Sequence, residues 1–257
     1  MIESAKTRPS GLNRQALRTW GMLFLTLGIA GRGIIQNHIL GIGLVSNMEL
    51  LEAMNANPDM MMFATLALLC QAVEACAVPI FAFLLVEGFQ HTHSWSHYLL
   101  RVLGVAVLAE IPYNLAVSGK LLDLGSRNPA FGLALSLVLL YFLRNQQGKQ
   151  FTKIVIKLFV IVAAVLWTQI LGIDHGVCSV VVSSVLWAVW NRQHFRTFIG
   201  CSAVMACCLL DPFYLGAPMS FLAIHFYNGE KGESSLWVNY LAYPAVLLAI
   251  GLVGHFL

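Results

Sequence analysis

Long apolar runs recur along the chain and limit what it can fold into. Residues 154–172, IVIKLFVIVAAVLWTQILG, carry a single charged side chain, and comparable runs follow one another from residue 19 onward. A helix needs about 20 apolar residues to cross the ~30 Å hydrocarbon core of a bilayer. Charged residues make up 11% of the chain, against roughly 25% in a soluble domain. The sequence therefore predicts an integral membrane protein, with the lipid bilayer as its surroundings.

The order of these runs predicts an all-α, polytopic transmembrane helical bundle of about nine spans, with roughly eight to ten possible. The predicted spans are residues 19–41, 59–87, 98–118, 129–143, 153–172, 175–191, 197–211, 215–228 and 237–256. We interpret residues 1–18 as a basic cytoplasmic segment and residues 19–257 as a single transmembrane domain. No small-residue cleavage site follows the first run, so we expect it to be retained.

Basic residues between the spans are unevenly distributed. With the amino terminus in the cytoplasm, the inner side collects Lys6, Arg8, Arg14, Arg18, Arg101, Arg144, Lys149, Lys153, Lys157, Arg192, Arg196 and Lys231. The outer side keeps only Lys120 and Arg127. This asymmetry follows the positive-inside rule and predicts a cytoplasmic amino terminus. The net charge of +3 is small and gives no indication of nucleic acid as a partner.

Several ionisable side chains lie inside predicted spans, where each costs at least ~2.5–3.5 kcal/mol. Arg32 is in the first span, Glu74 in the second, and Glu110 and Asn114 share one face of the third. One cation and two acids at similar depth predict an Arg32–Glu74–Glu110 pairing. Two interpretations stay open: an ion network that fixes helix packing, or a catalytic site.

A second group of polar residues belongs to the predicted outer side. Its members are His38, Tyr113, Asn114, Asn128, Asp174 and His175. They favour an outward-opening funnel that binds a polar substrate, with His38 or His175 as the candidate base because histidine titrates near neutrality. The alternative for the Asp174–His175 pair is an ordinary exposed loop.

A third group belongs to the predicted inner side. Glu87 and His91 lie one helical turn apart, and Arg101, Asn228 and Lys231 fall on the same side. These residues could bind an anionic cytoplasmic cofactor through its phosphates. The alternative is that these histidines lie at the membrane interface, where histidines are common, and bind no ligand. The six cysteines have no metal-ligand spacing with histidine, so no metal site is predicted.

Two adjacent stretches carry the most specific motif of the chain: VPIFAFLLVEGFQHT, residues 78–92, and YLLRVLGVAVLAEIPYNLA, residues 98–116. Four more follow: RNPAFGLALSL (127–137), GIDHGVCSVVV (172–182), SFLAIHFYNGEKG (220–232) and NYLAYPAVLL (239–248). In this order they resemble the TraX family of bacterial polytopic membrane proteins, over about residues 70–250.

The resemblance implies a membrane enzyme, because the family takes its name from a protein that acetylates the amino terminus of a conjugative pilin. By this resemblance we expect a multi-pass acyltransferase in a bacterial cytoplasmic membrane. Acetyl-CoA or another acyl-CoA would be the donor, with no permanently bound cofactor. The acceptor would be a peptide, a glycan, a lipid or a small amine.

The sequence departs from the family pattern at two places. Many members carry an Asp-His pair in the first span and a histidine after the late Tyr-Pro, whereas this chain has Asn37-His38 and Tyr243-Pro244-Ala245-Val246. These departures leave two alternatives to an enzyme. One is a transporter or permease, which buried charges and proline-interrupted spans also favour. The other is a non-catalytic TraX-like scaffold.

Overall fold

The computed structural model describes residues 11–41, 48, 52, 61–123, 125–146, 149–233 and 236–256. Most of the predicted basic segment, residues 1–10, lies outside this part. The helices are α1 (Arg14–Ala30), which continues as a π segment (Gly31–Ile39), α2 (Met61–Glu74), α3 (Ala77–His91), α4 (Trp95–Ser118), α5 (Ala130–Arg144), α6 (Gln150–Ile170), α7 (Gly176–Ala188), α8 (Gln193–Cys207), a 3-10 segment (Pro212–Met219), α9 (Ser220–His225) and α10 (Leu236–Phe256).

The predicted all-α architecture is confirmed, since the described residues form helices and contain no β-strand. Each predicted span coincides with one helix or with two consecutive helices. Residues 61–91, 95–118 and 150–170 are long and apolar enough to cross a membrane, and α5, α7 and parts of α8 and α10 are shorter apolar helices. The chain is therefore a helical membrane protein.

Local sequence signals explain where several helices begin and end. The side chain of Asn13 accepts a hydrogen bond from the Ala16 amide at 2.8 Å and caps α1. Asp211 caps the 3-10 segment in the same way, just before Pro212. The second predicted span is interrupted between α2 and α3, one turn before Pro79, whose nitrogen has no proton to donate to the preceding turn.

The bundle has two polar ends, which we call inner and outer after the predicted orientation. At the inner end, Leu12 pairs with Tyr227, and the start of α1 meets the end of α3 through Arg14 and Glu87. At the outer end, Arg127 pairs with Ile173, which joins the α4–α5 connection to the α6–α7 connection. Successive helices therefore run back and forth between the two ends.

Apolar side chains point both inward and outward, as expected in a bilayer. The core between α3, α5 and α7 contains Phe83, Phe89, Leu140 and Leu186, each fully buried. The outward side of α6 is equally apolar, and Phe159 is 72% exposed. An exposed apolar helix face of this kind belongs against lipid.

Candidate functional site

A buried ion network centred on Arg32 joins three parts of the chain. The Arg32 Nη2 atom lies 2.5 Å from Glu74 Oε1, and its Nη1 atom lies 2.5 Å from Asp174 Oδ2. Glu74 is 1% exposed, and a carboxylate buried to this extent requires a cation beside it. The predicted pairing of Arg32 with Glu74 is present.

The predicted pairing of Arg32 with Glu110 is wrong, because Asp174 takes that place. Glu110 instead accepts hydrogen bonds from the Asn128 backbone N–H at 3.2 Å and from Asn128 Nδ2 at 2.6 Å. Its other oxygen is 3.9 Å from Arg127. Glu110 and Asn128, both placed by the sequence in the site, thus anchor the connection between α4 and α5 beside the network.

The π segment presents Arg32 to its partners. One turn earlier, Gly28 faces the Glu74 side chain, and a β-carbon at this position would overlap it. One turn later, Gln36 accepts a hydrogen bond from Gln71 at 3.1 Å. Two contacts therefore hold α1 and its π continuation against α2, and π segments are frequent at functional sites.

Asp174 and His175 lie in the connection between α6 and α7, which is folded into the bundle. The Asp174 amide donates to the Arg127 carbonyl at 2.9 Å, and the Tyr113 hydroxyl donates to Asp174 Oδ2 at 2.6 Å. His175 has φ +53°, a left-handed conformation that is uncommon outside glycine. The alternative of an ordinary exposed loop does not describe this segment.

His175 contacts both a hydroxyl and a carboxylate. Its Nδ1 atom is 2.6 Å from the Tyr214 hydroxyl, and its Nε2 atom is 3.5 Å from Glu74 Oε1. Nε2 is buried and forms no hydrogen bond with the described residues. Burial opposes the charged imidazolium, but the carboxylates of Asp174 and Glu74 outweigh it and raise the pKa of His175. Burial likewise opposes the Asp174 carboxylate, and Arg32 and His175 overcome it to lower the pKa of Asp174.

Glu74, Asp174 and His175 also lie close enough together to hold a metal ion. Their potential ligand atoms lie within 4.8 Å of one another. Arg32, however, already bonds to both carboxylates and supplies the positive charge that a cation would bring. The donor set fits an ion network better than it fits a metal.

A cavity of about 390 Å³ leads from the inner end to His175. Arg14, Arg18 and Lys231 line its inner part, apolar side chains of α1, α3, α4 and α5 line its middle, and His175 and Tyr243 line its far part. The Tyr243 hydroxyl is buried and has no hydrogen-bond partner in the described part of the chain. A polar group left unpaired beside a cavity is available to a ligand.

The residues predicted for the inner side fall in different places. Lys231 lines the cavity, whereas Arg101 is exposed outside its lining. Glu87 is buried, 3.0 Å from Arg14 Nε, and it accepts a hydrogen bond from the Tyr227 hydroxyl. Burial and the Glu87 carboxylate raise the pKa of Tyr227 to about 12, so this phenol keeps its proton.

His91 and Asn228 complete that inner set. His91 is exposed, and its ring hydrogen-bonds the Glu87 carbonyl at 2.8 Å. The Asn228 side chain accepts a hydrogen bond from the Glu230 amide at 3.0 Å and shapes the connection after α9. Neither residue lines the cavity.

Two outer residues predicted from the sequence lie apart from the ion network. His38 is exposed at the end of the π segment, close to Gly254 of α10. Asn114 is buried, and its Nδ2 atom lacks a hydrogen-bond partner among the described residues. Of the two histidines considered as a base, only His175 is in the network.

Sequence reasoning did not select Tyr214, Tyr243, Arg14 or Arg18 as site residues. Tyrosines in apolar stretches are typical of a packed core, and no pattern around Tyr214 distinguishes it. Arg14 and Arg18 were counted only for orientation. Their one-turn spacing at the start of a span was the available signal that both face one side of α1.

Comparisons with known proteins identify the family of the chain. A family model described as TraX protein matches residues 36–254. A relative from Dichelobacter nodosus, described as probable fimbrial assembly protein FimC, serogroup H1, is 28% identical over 195 residues, covering 67% of this chain and 77% of that protein. No solved structure matches the chain significantly. The family match covers most of the chain, including Arg127, Asp174, His175 and Tyr243, and the chain therefore belongs to the TraX family.

Proposed function

We propose that this protein is a multi-pass acyltransferase of a bacterial cytoplasmic membrane that uses a cytoplasmic acyl-CoA as donor. The cavity carries the proposal, because it joins a basic inner mouth to His175, whose Nε2 atom is buried. A transport path would have to open at both ends of the bundle. A scaffold would have no use for a histidine and a phenol without a hydrogen-bond partner among the described residues at the end of a cavity.

The shape and charge of the cavity suit an acyl-CoA. Arg14, Arg18 and Lys231 at the mouth match the phosphates of the nucleotide portion. The α1 residues that line the cavity run from Arg14 to Leu25, which at 1.5 Å per residue is about 16 Å, a length suited to an extended pantetheine arm. Apolar side chains such as Leu25, Phe81 and Leu133 line the middle of the path. The thioester would then lie near His175.

The far part of the cavity contains the groups that acyl transfer requires. With Nδ1–H donating to Tyr214, His175 Nε2 accepts a proton from the amine or hydroxyl of the acceptor. The acceptor atom then bonds to the thioester carbon, whose C–S bond breaks, and the departing thiolate takes the proton from the imidazolium. The Tyr243 hydroxyl donates to the carbonyl oxygen as negative charge develops there.

The ion network supports the histidine. Glu74 and Asp174 stabilise the imidazolium that forms during transfer, and Arg32 pairs with both acids and holds them in place. Tyr113 and Arg32 fix the Asp174 carboxylate from two sides. Glu110 is a positioning residue: it accepts a hydrogen bond from Asn128, and the next residue along the chain, Pro129, lines the cavity.

One relative suggests which acceptor to test first. The Dichelobacter nodosus protein is described as a probable fimbrial assembly protein, and the outer position of His175 suits an acceptor that is in or beyond the membrane. A peptide amino group of a surface-filament subunit is therefore the first acceptor to test, ahead of a glycan, a lipid or a small amine.

Binding and transfer can be tested on protein purified in detergent. We expect acetyl-CoA or a longer acyl-CoA to raise the thermal unfolding midpoint, and radiolabelled acyl groups to move to an added acceptor peptide. His175→Asn should retain acyl-CoA binding but lose about 10²–10⁴-fold in transfer. His38→Asn is the matched control and should transfer at the wild-type rate. Absence of acyl-CoA binding by the folded wild-type protein would leave the transporter or scaffold instead.

A further inference from the structure

A second pocket lies at the inner end, away from the acyl-CoA path. Its volume is about 420 Å³, and it lies between the ends of α3, α5 and α7 and the side of α6. Its lining residues are Gln90, Arg144, Lys157, Trp187, Ala188, Trp190 and Asn191. None of these belongs to the ion network or to the proposed donor mouth.

The charge of this pocket is unbalanced. Arg144 and Lys157 both line it, and no carboxylate is among its described lining residues. Within the described part of the chain, neither cation forms an ion pair. Each is instead held by an aromatic ring: the Arg144 guanidinium lies 4.6 Å from the Phe89 ring centre, and Lys157 Nζ lies 5.2 Å from that of Trp187. Two fixed cations facing one space attract an anion.

The neighbouring side chains indicate what kind of anion fits. Gln90, Asn191 and the two tryptophans can donate hydrogen bonds to phosphate oxygens. Tryptophans at the end of a membrane helix lie at the level of the lipid headgroups. Beyond the pocket, α5 and α6 carry exposed apolar side chains, including Phe142, Leu158 and Val162. These surfaces suit acyl chains that continue from a phosphate into the bilayer.

We propose that this pocket binds the phosphate of an anionic phospholipid in the inner leaflet. The lipid phosphate lies between Arg144 and Lys157, and its acyl chains follow the exposed surfaces of α5 and α6. The inference is independent of acyl transfer, since the pocket shares no lining residue with the cavity that leads to His175. Basic pockets between membrane helices on the cytoplasmic side are suited to such headgroups.

Lipid retention and thermal stability test the proposal on the full chain in detergent. Phosphatidylglycerol should remain bound in native mass spectra and raise the unfolding midpoint, whereas phosphatidylcholine with the same acyl chains should do neither. Lys157→Gln and Arg144→Gln should each weaken phosphatidylglycerol retention about fivefold, and Lys157→Arg should preserve it. Lys149→Gln is the matched control, because Lys149 is exposed at the start of the same helix and outside the pocket.

Three results would overturn the proposal. One is equal retention of the two lipids by the wild-type protein. Another is equal loss in Lys149→Gln and Lys157→Gln, which would indicate a general surface charge effect. The third is full stabilisation by inorganic phosphate alone, which would identify a site for a soluble anion.

Discussion

The guanidinium of Arg32 and the carboxylate of Asp174 lie 142 positions apart in the chain and meet through an Nη1–Oδ2 hydrogen bond of 2.5 Å. This contact ties the first helix to the connection between α6 and α7. It fixes the segment that carries His175 at the far part of the cavity. The stability of the bundle and the geometry of the candidate site therefore depend on the same atoms.

Removal of Arg32 should destabilise the protein strongly. Arg32→Met leaves the buried Glu74 and the partly buried Asp174 without their cation, and breaking a buried ion pair in this way costs about 3–5 kcal/mol. Thermal unfolding in detergent measures the loss. Arg101→Gln, a change at an exposed arginine, should alter the free energy of unfolding by no more than about 0.5 kcal/mol.

Neutralising the two acids as well should restore stability without restoring transfer. The triple variant Arg32→Met, Glu74→Gln, Asp174→Asn has no uncompensated charge in the network and should unfold near the wild-type temperature. Its acyl transfer should stay low, because nothing stabilises the His175 imidazolium. A triple variant as unstable as Arg32→Met alone would contradict the electrostatic explanation.

The rate of acyl transfer should rise with pH as His175 loses its proton. Because the pKa of His175 is raised, the inflection should lie above the ordinary histidine value of about 6.5. Asp174→Asn removes a negative charge beside the ring and should move the inflection to lower pH. Asp123→Asn, on the same side of the protein and away from the network, should leave it unchanged; an inflection unaffected by Asp174→Asn would exclude His175 as the titrating base.

The raised pKa of His175 and the lowered pKa of Asp174 make the stability of the protein depend on pH. The stabilisation from His175 is fully present below its unfolded-state pKa and is lost as pH rises through its raised folded-state value. The stabilisation from Asp174 is present above its unfolded-state pKa and is lost as pH falls through its lowered folded-state value. The unfolding midpoint should therefore decline on both sides of a plateau, and Asp174→Asn should flatten the acid side.

A larger side chain in the cavity should weaken the binding of acyl-CoA. Ala242 lines the cavity, whereas Ala245, three residues further along α10, is exposed. A phenylalanine at position 242 occupies the space of the ligand, and forcing extra volume into a filled site costs about 1–3 kcal/mol. Ala242→Phe should thus weaken acyl-CoA binding about tenfold or more, measured by titration, and Ala245→Phe should not. Equal affinities in the two variants would place the donor elsewhere.

Gly28 should tolerate no side chain. Its missing β-carbon leaves room for Glu74, so Gly28→Ala should displace this acid, lower the unfolding temperature and reduce acyl transfer. Gly104 of α4 is the matched control, because nothing lies within 4 Å of a β-carbon there. Gly104→Ala should be neutral or stabilise the helix by about 0.5–1 kcal/mol. A Gly28→Ala variant with full stability and transfer would show that Glu74 need not be fixed.

Much of the fold could be predicted from the sequence because the bilayer restricts each span to an apolar helix. The Arg32–Glu74 pair followed from the cost of leaving a charge unpaired in lipid. Glu110 was assigned to the same network because hydropathy gives depth along a helix. The direction in which a side chain points around the helix axis depends on tertiary packing, and this placed Glu110 against Asn128 instead.

The composition of the site was harder to predict. Asp174 lies between two predicted spans and His175 begins the second, at a place where side chains are usually solvated. The pairing of Arg127 with Ile173 nevertheless folds their segment inward. Tyr214 reaches His175 from a 3-10 segment that no periodicity indicates. Contacts between distant connections of this kind leave no local pattern in the sequence.

In the π segment that follows α1, the number of residues between positions 31 and 39 is as important as their identity. Its hydrogen bonds skip one residue more than those of an α-helix, as between the Leu40 amide and the Ile35 carbonyl. Deleting a single amino acid there would tighten the coil and swing Arg32 and Gln36 away from Glu74 and Gln71. Among relatives, this segment should accept replacements at its lipid-facing positions far more readily than any change in its length.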